Sequence, residues 1–125
     1  MTTPCSSTGT PTTPQNDVDF FTDVTPEERL APVFAEVACE TVVCGHSHLQ
    51  FQRVVAGKQV VNAGSVGMAY EDQPGACWAL LGPTVELRRS PFTPASLADT
   101  GYPRPWPTST RDEATRQLEA VALGI

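Results

Sequence analysis

The chain has 125 residues, a formal net charge of -6 and only eight Lys and Arg. That length suits one small domain around a single core. The only adjacent basic pair is Arg88-Arg89, which argues against a nucleic-acid footprint.

The first residues carry neither a basic start nor an apolar run, and no stretch approaches the roughly 18 apolar residues of a membrane span. The sequence therefore reads as a cytoplasmic protein with no membrane partner. In that compartment Cys5, Cys39, Cys44 and Cys77 read as thiols. Their spacing contains no C-x-x-C, which argues against a zinc knuckle.

Residues 1–16 are almost all Thr, Ser, Pro and Gly and read as a disordered leader. Order is expected to begin between Asp17 and Phe21. Thr25-Pro26-Glu27-Glu28 reads as a helix start, with Thr25 as cap, Pro26 at the first helical position and Glu28 completing a capping box. Leu30, Val33, Phe34 and Val37 then follow at helical spacing and form an apolar face for the core.

Residues 41–44 form a short β-branched run that predicts a buried strand. A second strand is expected over 49–55 and a third over 59–62, joined as a hairpin through Ala56-Gly57-Lys58. Residues 62–67, Asn-Ala-Gly-Ser-Val-Gly, form a glycine-rich loop after the third strand. A further hairpin is expected from 75–81 and 84–89 around Gly82-Pro83. From 90 to 107 the chain is rich in proline and reads as a linker or irregular cover, with one turn of helix at 95–99. A last helix is expected from Thr110, with a second capping box through Glu113. Ala114, Leu118, Val121 and Ala122 give its apolar stripe, and Gly124 its end.

The chemistry concentrates in Val42-Val43-Cys44-Gly45-His46-Ser47-His48, which holds both histidines of the chain. In extended backbone the imidazoles of His46 and His48 point to one side, with Cα atoms about 6.5–7 Å apart at a rise of about 3.3 Å per residue. Two rings so placed suit two ions about 3.5–4 Å apart, as in two-metal hydrolytic sites. Gly45, lacking a Cβ, would let the backbone turn sharply beside a ligand. Cys44, His46 and His48 also fall at i, i+2 and i+4, a set suited to one zinc ion, although Cys44 more simply continues the buried strand.

Val42–His48 by motif, then Phe51-Gln52-Arg53, then Val60-Val61-Asn62-Ala63-Gly64-Ser65-Val66-Gly67, then residues 76–82 together resemble the C-terminal half of a calcineurin-like metallophosphoesterase. The likeness is to the small bacterial phosphodiesterase and phosphatase branch, whose segments read strand-G-H-T-H, a hairpin with Arg, then V-N-P-G-S-V-G. Thr25-Pro26-Glu27-Glu28-Arg29-Leu30 also fits that branch, and the likeness covers residues 13–92. It implies an α/β fold, the C-terminal part of a four-layer α/β sandwich, with a hairpin-rich sheet and flanking helices. The domain would occupy 17–92, with a Pro-rich segment and C-terminal helix over 93–125.

The resemblance further implies divalent metal ions (Mn, Fe, Zn or Ni), with His46 on the second ion and His48 on the first. They would support hydrolysis of a phosphomonoester or phosphodiester. The family's D-x-H, G-D and G-N-H motifs have no counterpart here, and its upstream His falls at Pro11. Hard divalent ions held for hydrolysis take about five or six ligands with several carboxylates. The chain thus reads as a truncated phosphoesterase, inactive alone and acting on a phosphate ester only if another chain completes it. The alternatives are a non-catalytic binding or scaffolding module, which would be a homodimer, and a mononuclear zinc protein. No catalytic or substrate-binding residue is assigned. Ser65 is expected to satisfy loop backbone, Asn62 to buttress the histidine loop, and Arg53 to make a surface salt bridge if it does not reach phosphate. Trp78 is expected in the core, Trp106 over a hairpin or partner, and Cys44 and Cys77 as buried thiols.

Overall fold

A computed structural model describes residues 5–6, 21–91 and 110–122. The described elements are β1 (Cys5–Ser6), α1 (Glu27–Ala35), β2 (Thr41–Cys44), β3 (Gln50–Val55), β4 (Lys58–Ala63), β5 (Gly75–Leu80), β6 (Glu86–Pro91) and α2 (Arg111–Ala122). The fold is mixed α/β. Four strands form one sheet in the order β1-β2-β4-β3, and β5 and β6 form a second.

The order of the first sheet follows from the tight turn at 56–57. Ala56 and Gly57 have φ of 52° and 76°, the paired left-handed conformation that matches a two-residue hairpin to strand twist. β3 and β4 therefore pair antiparallel from Val55↔Lys58 to Gln50↔Ala63. β4 then lies parallel to β2, with Thr41↔Gln59 and Cys44↔Asn62. Flanked on both sides, β4 buries three consecutive residues, Val60, Val61 and Asn62, as a central strand does.

Alternation along the strands assigns the faces. Val42, Val60 and Phe51 share the face that meets Leu30 and Phe34 of α1, together with Phe21 and Ala114 of α2. Phe21 sits edge-on to Phe34 and Phe51, with ring centroids 5.5 and 5.9 Å apart. Leu30 and Phe34 are buried, and Val33 and Val37 pack against them, as their spacing predicts. On the opposite face Gln50 reaches the second sheet, where its Nε2 donates to the carbonyls of Trp78 (3.0 Å) and Arg88 (2.8 Å).

The two helix starts differ. At α2 the capping box forms in full: Glu113 N donates to Thr110 Oγ1 at 3.2 Å, and Thr110 N donates to Glu113 Oε2 at 2.9 Å. At α1 the cap residue is Pro26 and no side chain caps it. The Thr25 hydroxyl is taken instead by Glu119 of α2, to which it donates, while it accepts from Thr22 N at 2.9 Å. Thr22 Oγ1 donates to the same carboxylate at 2.8 Å. The expected capping box at Glu28 thus yields to a contact 94 residues away in sequence.

Other expectations also shift. Cys5–Ser6 lie within the expected leader, yet pair parallel to Val42 and Val43 and cover part of the outer edge of β2. The remaining residues of 1–16, the helical turn at 95–99, Trp106 and Gly124 lie outside the described residues. β6 extends through Ser90 and Pro91, which were expected to begin the linker. Val121, expected on the apolar stripe, is exposed. No helix among the described residues is long and apolar enough to cross a membrane.

The reading of four thiols fails at Cys39, which is disulfide-bonded. Cys44 and Cys77 are free and buried, and burial pushes the Cys44 thiol up to about 12. Burial also raises Cys77. Alkylation without reductant should therefore be slow at Cys44 and Cys77 in the native chain and complete at both in denaturant. Cys39 should be labelled only after reduction, as read by peptide mass mapping; labelling of Cys39 before reduction would contradict the bridge.

Candidate functional site: the histidine turn

β2 and β4 run parallel, so their C-terminal ends lie side by side, the edge at which open α/β sheets place ligands. The histidines sit there. Beyond Cys44 the backbone leaves the strand and closes a turn, with His48 N donating to Gly45 O at 3.3 Å. His48 has φ 61°, a left-handed conformation in which His is enriched among non-glycine residues. The extended geometry that placed the two imidazoles on one side at strand spacing therefore does not hold. Nor is Gly45 the residue that makes the turn possible: a Cβ there would meet only Gly64 O at 3.9 Å. The strained position is His48 itself.

Asn62 holds the turn. It is 2 % exposed at the end of β4, its Nδ2 donates to Ser47 Oγ at 2.9 Å, and its Oδ1 accepts from Gly64 N at 2.9 Å. Ser47 is itself 2 % exposed. One side chain thus ties the histidine turn to the glycine loop, the buttress expected of Asn62. Gly64 is required there: its φ is 82°, and a Cβ would approach Cys77 Cβ to 2.8 Å. Ser65 satisfies loop backbone as expected, its Oγ accepting from Met68 N at 2.9 Å.

His48 is fixed from the same loop. Its Nδ1 lies 3.1 Å from Met68 O. A carbonyl only accepts, so Nδ1 carries a proton, and in the neutral form of such a ring Nε2 is the acceptor. The ring stacks on Tyr70 at 5.4 Å between centroids and 25° between planes. His46 is half-buried in the turn.

Several other residues fall elsewhere. Cys44 turns its Sγ to Val61 O at 3.5 Å and keeps its proton, so it serves the strand rather than a zinc ligand set. Among the described residues, Arg53 neither reaches the turn nor forms a salt bridge. Its Nη1 donates to the carbonyls of Thr22 (3.0 Å), Asp23 (3.2 Å) and Thr25 (2.8 Å) and pins the segment before α1. Trp78, expected in the core, is 36 % exposed. Its ring lies on the face of β5 opposite Cys77, with Arg88 5.6 Å above it and its Nε1 donating to Ser90 Oγ at 3.1 Å.

Metal chemistry is tested by the donor set. His48 offers an oriented Nε2, which fits an imidazole ligand. Among the described residues no group of three or more His, Cys, Asp and Glu is placed to hold an ion. The fit is thus to a contribution of imidazole and not to a hydrolytic pair of metals, and no hydrolytic step follows from these residues. Met68 and Tyr70 were not singled out in the sequence. Nothing in Met68-Ala69-Tyr70 marks them, because their role depends on a loop that returns to His48 from 20 residues away.

Comparison with family models and with curated proteins returns no match. Among solved structures the chain is similar to the hypothetical protein PH1004 from Pyrococcus horikoshii OT3, with a TM-score of 0.62 and 15% identity. The likeness covers 94% of this chain and 48% of that one. It is a likeness of fold, and this chain spans about half the length of that protein.

Replacing Asn62 by Ala would leave the Ser47 hydroxyl and the Gly64 amide without their partner, at a cost of about 1–3 kcal/mol. Urea denaturation should show that loss. A midpoint unchanged from the wild type would contradict the clamp.

Proposed function

We propose that this chain is a metallophosphoesterase-type half-domain. It presents a pre-formed histidine turn to a centre of divalent metal ions (Mn, Fe, Zn or Ni), whose remaining ligands come from outside the described residues. The observation that carries the reading is the oriented imidazole of His48: its Nδ1 is engaged by Met68 O, and its Nε2 is left as an acceptor at the C-terminal ends of two parallel strands. His46 and His48 are the proposed metal ligands.

In this reading the β1-β2-β4-β3 sheet and the β5-β6 sheet are the inner layers of a four-layer α/β sandwich, with α1 and α2 as one outer layer. The substrate would be a phosphate ester, and hydrolysis would require a partner that completes the centre. With a net charge of -6, the chain itself repels phosphate, so the metal would have to supply the attraction.

A second reading, a non-catalytic and dimeric binding module, is favoured by one observation. Trp78, Leu80 and Leu81 leave apolar surface exposed at the second sheet, where two strands alone are marginal. The buried Cys44 weighs against the mononuclear zinc reading. The cytoplasmic location belongs to the same proposal. The Cys39 disulfide opposes it, because bridges persist in oxidising compartments, and the alkylation pattern bears directly on it.

Equilibrium dialysis against Zn²⁺ or Mn²⁺, with bound metal measured per chain, tests the first reading. The wild type should bind metal weakly. A His46→Ala, His48→Ala double variant should lose more than the roughly 10–100-fold that removal of an outer partner costs. Hydrolysis of a model phosphodiester by the chain alone should not exceed that of free metal. Equal retention of metal by the double variant would overturn the assignment.

A further inference from the structure

His48 is held in a left-handed conformation that its own backbone does not favour, so neighbours must fix both its main chain and its ring. One residue touches every part of that arrangement. Tyr70 N donates to His48 O at 3.1 Å, which anchors the strained residue. The Tyr70 ring covers one face of the imidazole at 5.4 Å and 25°, which sets the ring plane. The Tyr70 hydroxyl donates to Met68 Sδ at 3.7 Å, and Met68 supplies the carbonyl that engages His48 Nδ1.

Tyr70 is itself anchored. It packs against the hydrophobic core, and its neighbours on both sides are fixed. Ala69 is 1% exposed, and Glu71 binds Arg111 Nη1 at 2.7 and 2.6 Å while accepting from Gln50 N at 2.7 Å. The ring is thus a rigid wall, referenced to the sheet and to α2, against which the imidazole lies.

We infer that Tyr70 is the positioning residue of the histidine turn: by fixing the plane of the imidazole it keeps Nδ1 of His48 against Met68 O, the contact that selects the Nδ1–H tautomer, so that Nε2 is presented to a metal ion. The inference rests on the reading of His48 as a metal ligand for its purpose, but its geometric content is separate. A flat aromatic wall suits the task because it restrains the rotation of the imidazole without competing for a nitrogen. Of its three contacts, a smaller aliphatic side chain would remove the stack and the hydroxyl bond while leaving the backbone bond in place, and Phe would remove the hydroxyl bond alone.

The test uses the whole chain without metal and with Zn²⁺ alone. In the wild type, at a pH where the imidazole is neutral, long-range ¹H–¹⁵N spectra should show the Nδ1–H tautomer at His48, and nuclear Overhauser contacts should link the two rings. Tyr70→Leu should yield mixed tautomers and weaken Zn²⁺ binding about 10-fold or more, in the range that loss of an outer-shell partner costs. Tyr70→Phe, which keeps the ring, should retain the wild-type tautomer and bind within about threefold of the wild type, outside that outer-shell range. Wild-type spectra lacking ring contacts or showing mixed tautomers would overturn the inference, and need no variant that might not fold. A Tyr70→Leu chain with the wild-type tautomer would do the same. If His48→Ala leaves Zn²⁺ binding unchanged, the metal reading fails, and the tautomer comparison alone still decides the role of Tyr70.

Discussion

The two hydrogen bonds of Asn62 are the constraint on which the histidine turn depends. A buried amide at the end of the central strand must find partners or cost stability, and here both of its ends are used. Its nitrogen holds Ser47 and its oxygen holds Gly64. The segment that follows β2 and the segment that follows β4 are thereby fixed to one another where the parallel strands end. The turn does not need a metal to hold its shape, since its bonds are made within the chain.

A second set of contacts carries this rigidity outward. Glu71 joins three elements: it accepts from the backbone at the start of β3, it pairs with Arg111 at the start of α2, and it follows directly on Tyr70. With side chains only 22% and 15% exposed, the Arg111–Glu71 pair is better shielded than a typical surface ion pair. At the other end of α2, Glu119 accepts from the hydroxyls of Thr22 and Thr25 and pairs with Arg29 at 3.4 Å. The helix therefore braces both the loop behind His48 and the segment ahead of α1. Both ends of the bracing lie far from the histidines in sequence.

What the sequence made legible was what is local. The hairpin at 56–57, the strand at 41–44, the apolar face of α1 and the capping box of α2 follow from neighbouring residues, and all are present. The buttressing role of Asn62 was also legible, because an Asn before a glycine loop has few other uses for its amide. Three of the departures, at Thr25, Arg53 and His48, share one cause, a distant partner that outcompetes a local preference. Thr25 gives its hydroxyl to Glu119 instead of capping α1. Arg53 satisfies three carbonyls instead of a carboxylate. Trp78 stays exposed because β5 and β6 have no further layer over that face among the described residues. His48 departs from the strand because Tyr70 and Met68 hold it in a turn. The disulfide at Cys39 has no local signature, because pairing depends on residues brought together by the fold and not on spacing in sequence. Pro32 lies inside α1, where an interior proline removes a helical donor.

The histidine turn is built by the chain's own contacts, with no bound ion needed. Amide hydrogen exchange on the metal-free protein tests it most directly, at the amides of His48, Gly64 and Tyr70. Each donates to a named acceptor: Gly45 O, Asn62 Oδ1 and His48 O. The account predicts protection at all three well above that of an unstructured peptide, approaching the protection of β4. Exchange at unstructured rates, with β4 still protected, would mean that the turn is not formed by these contacts.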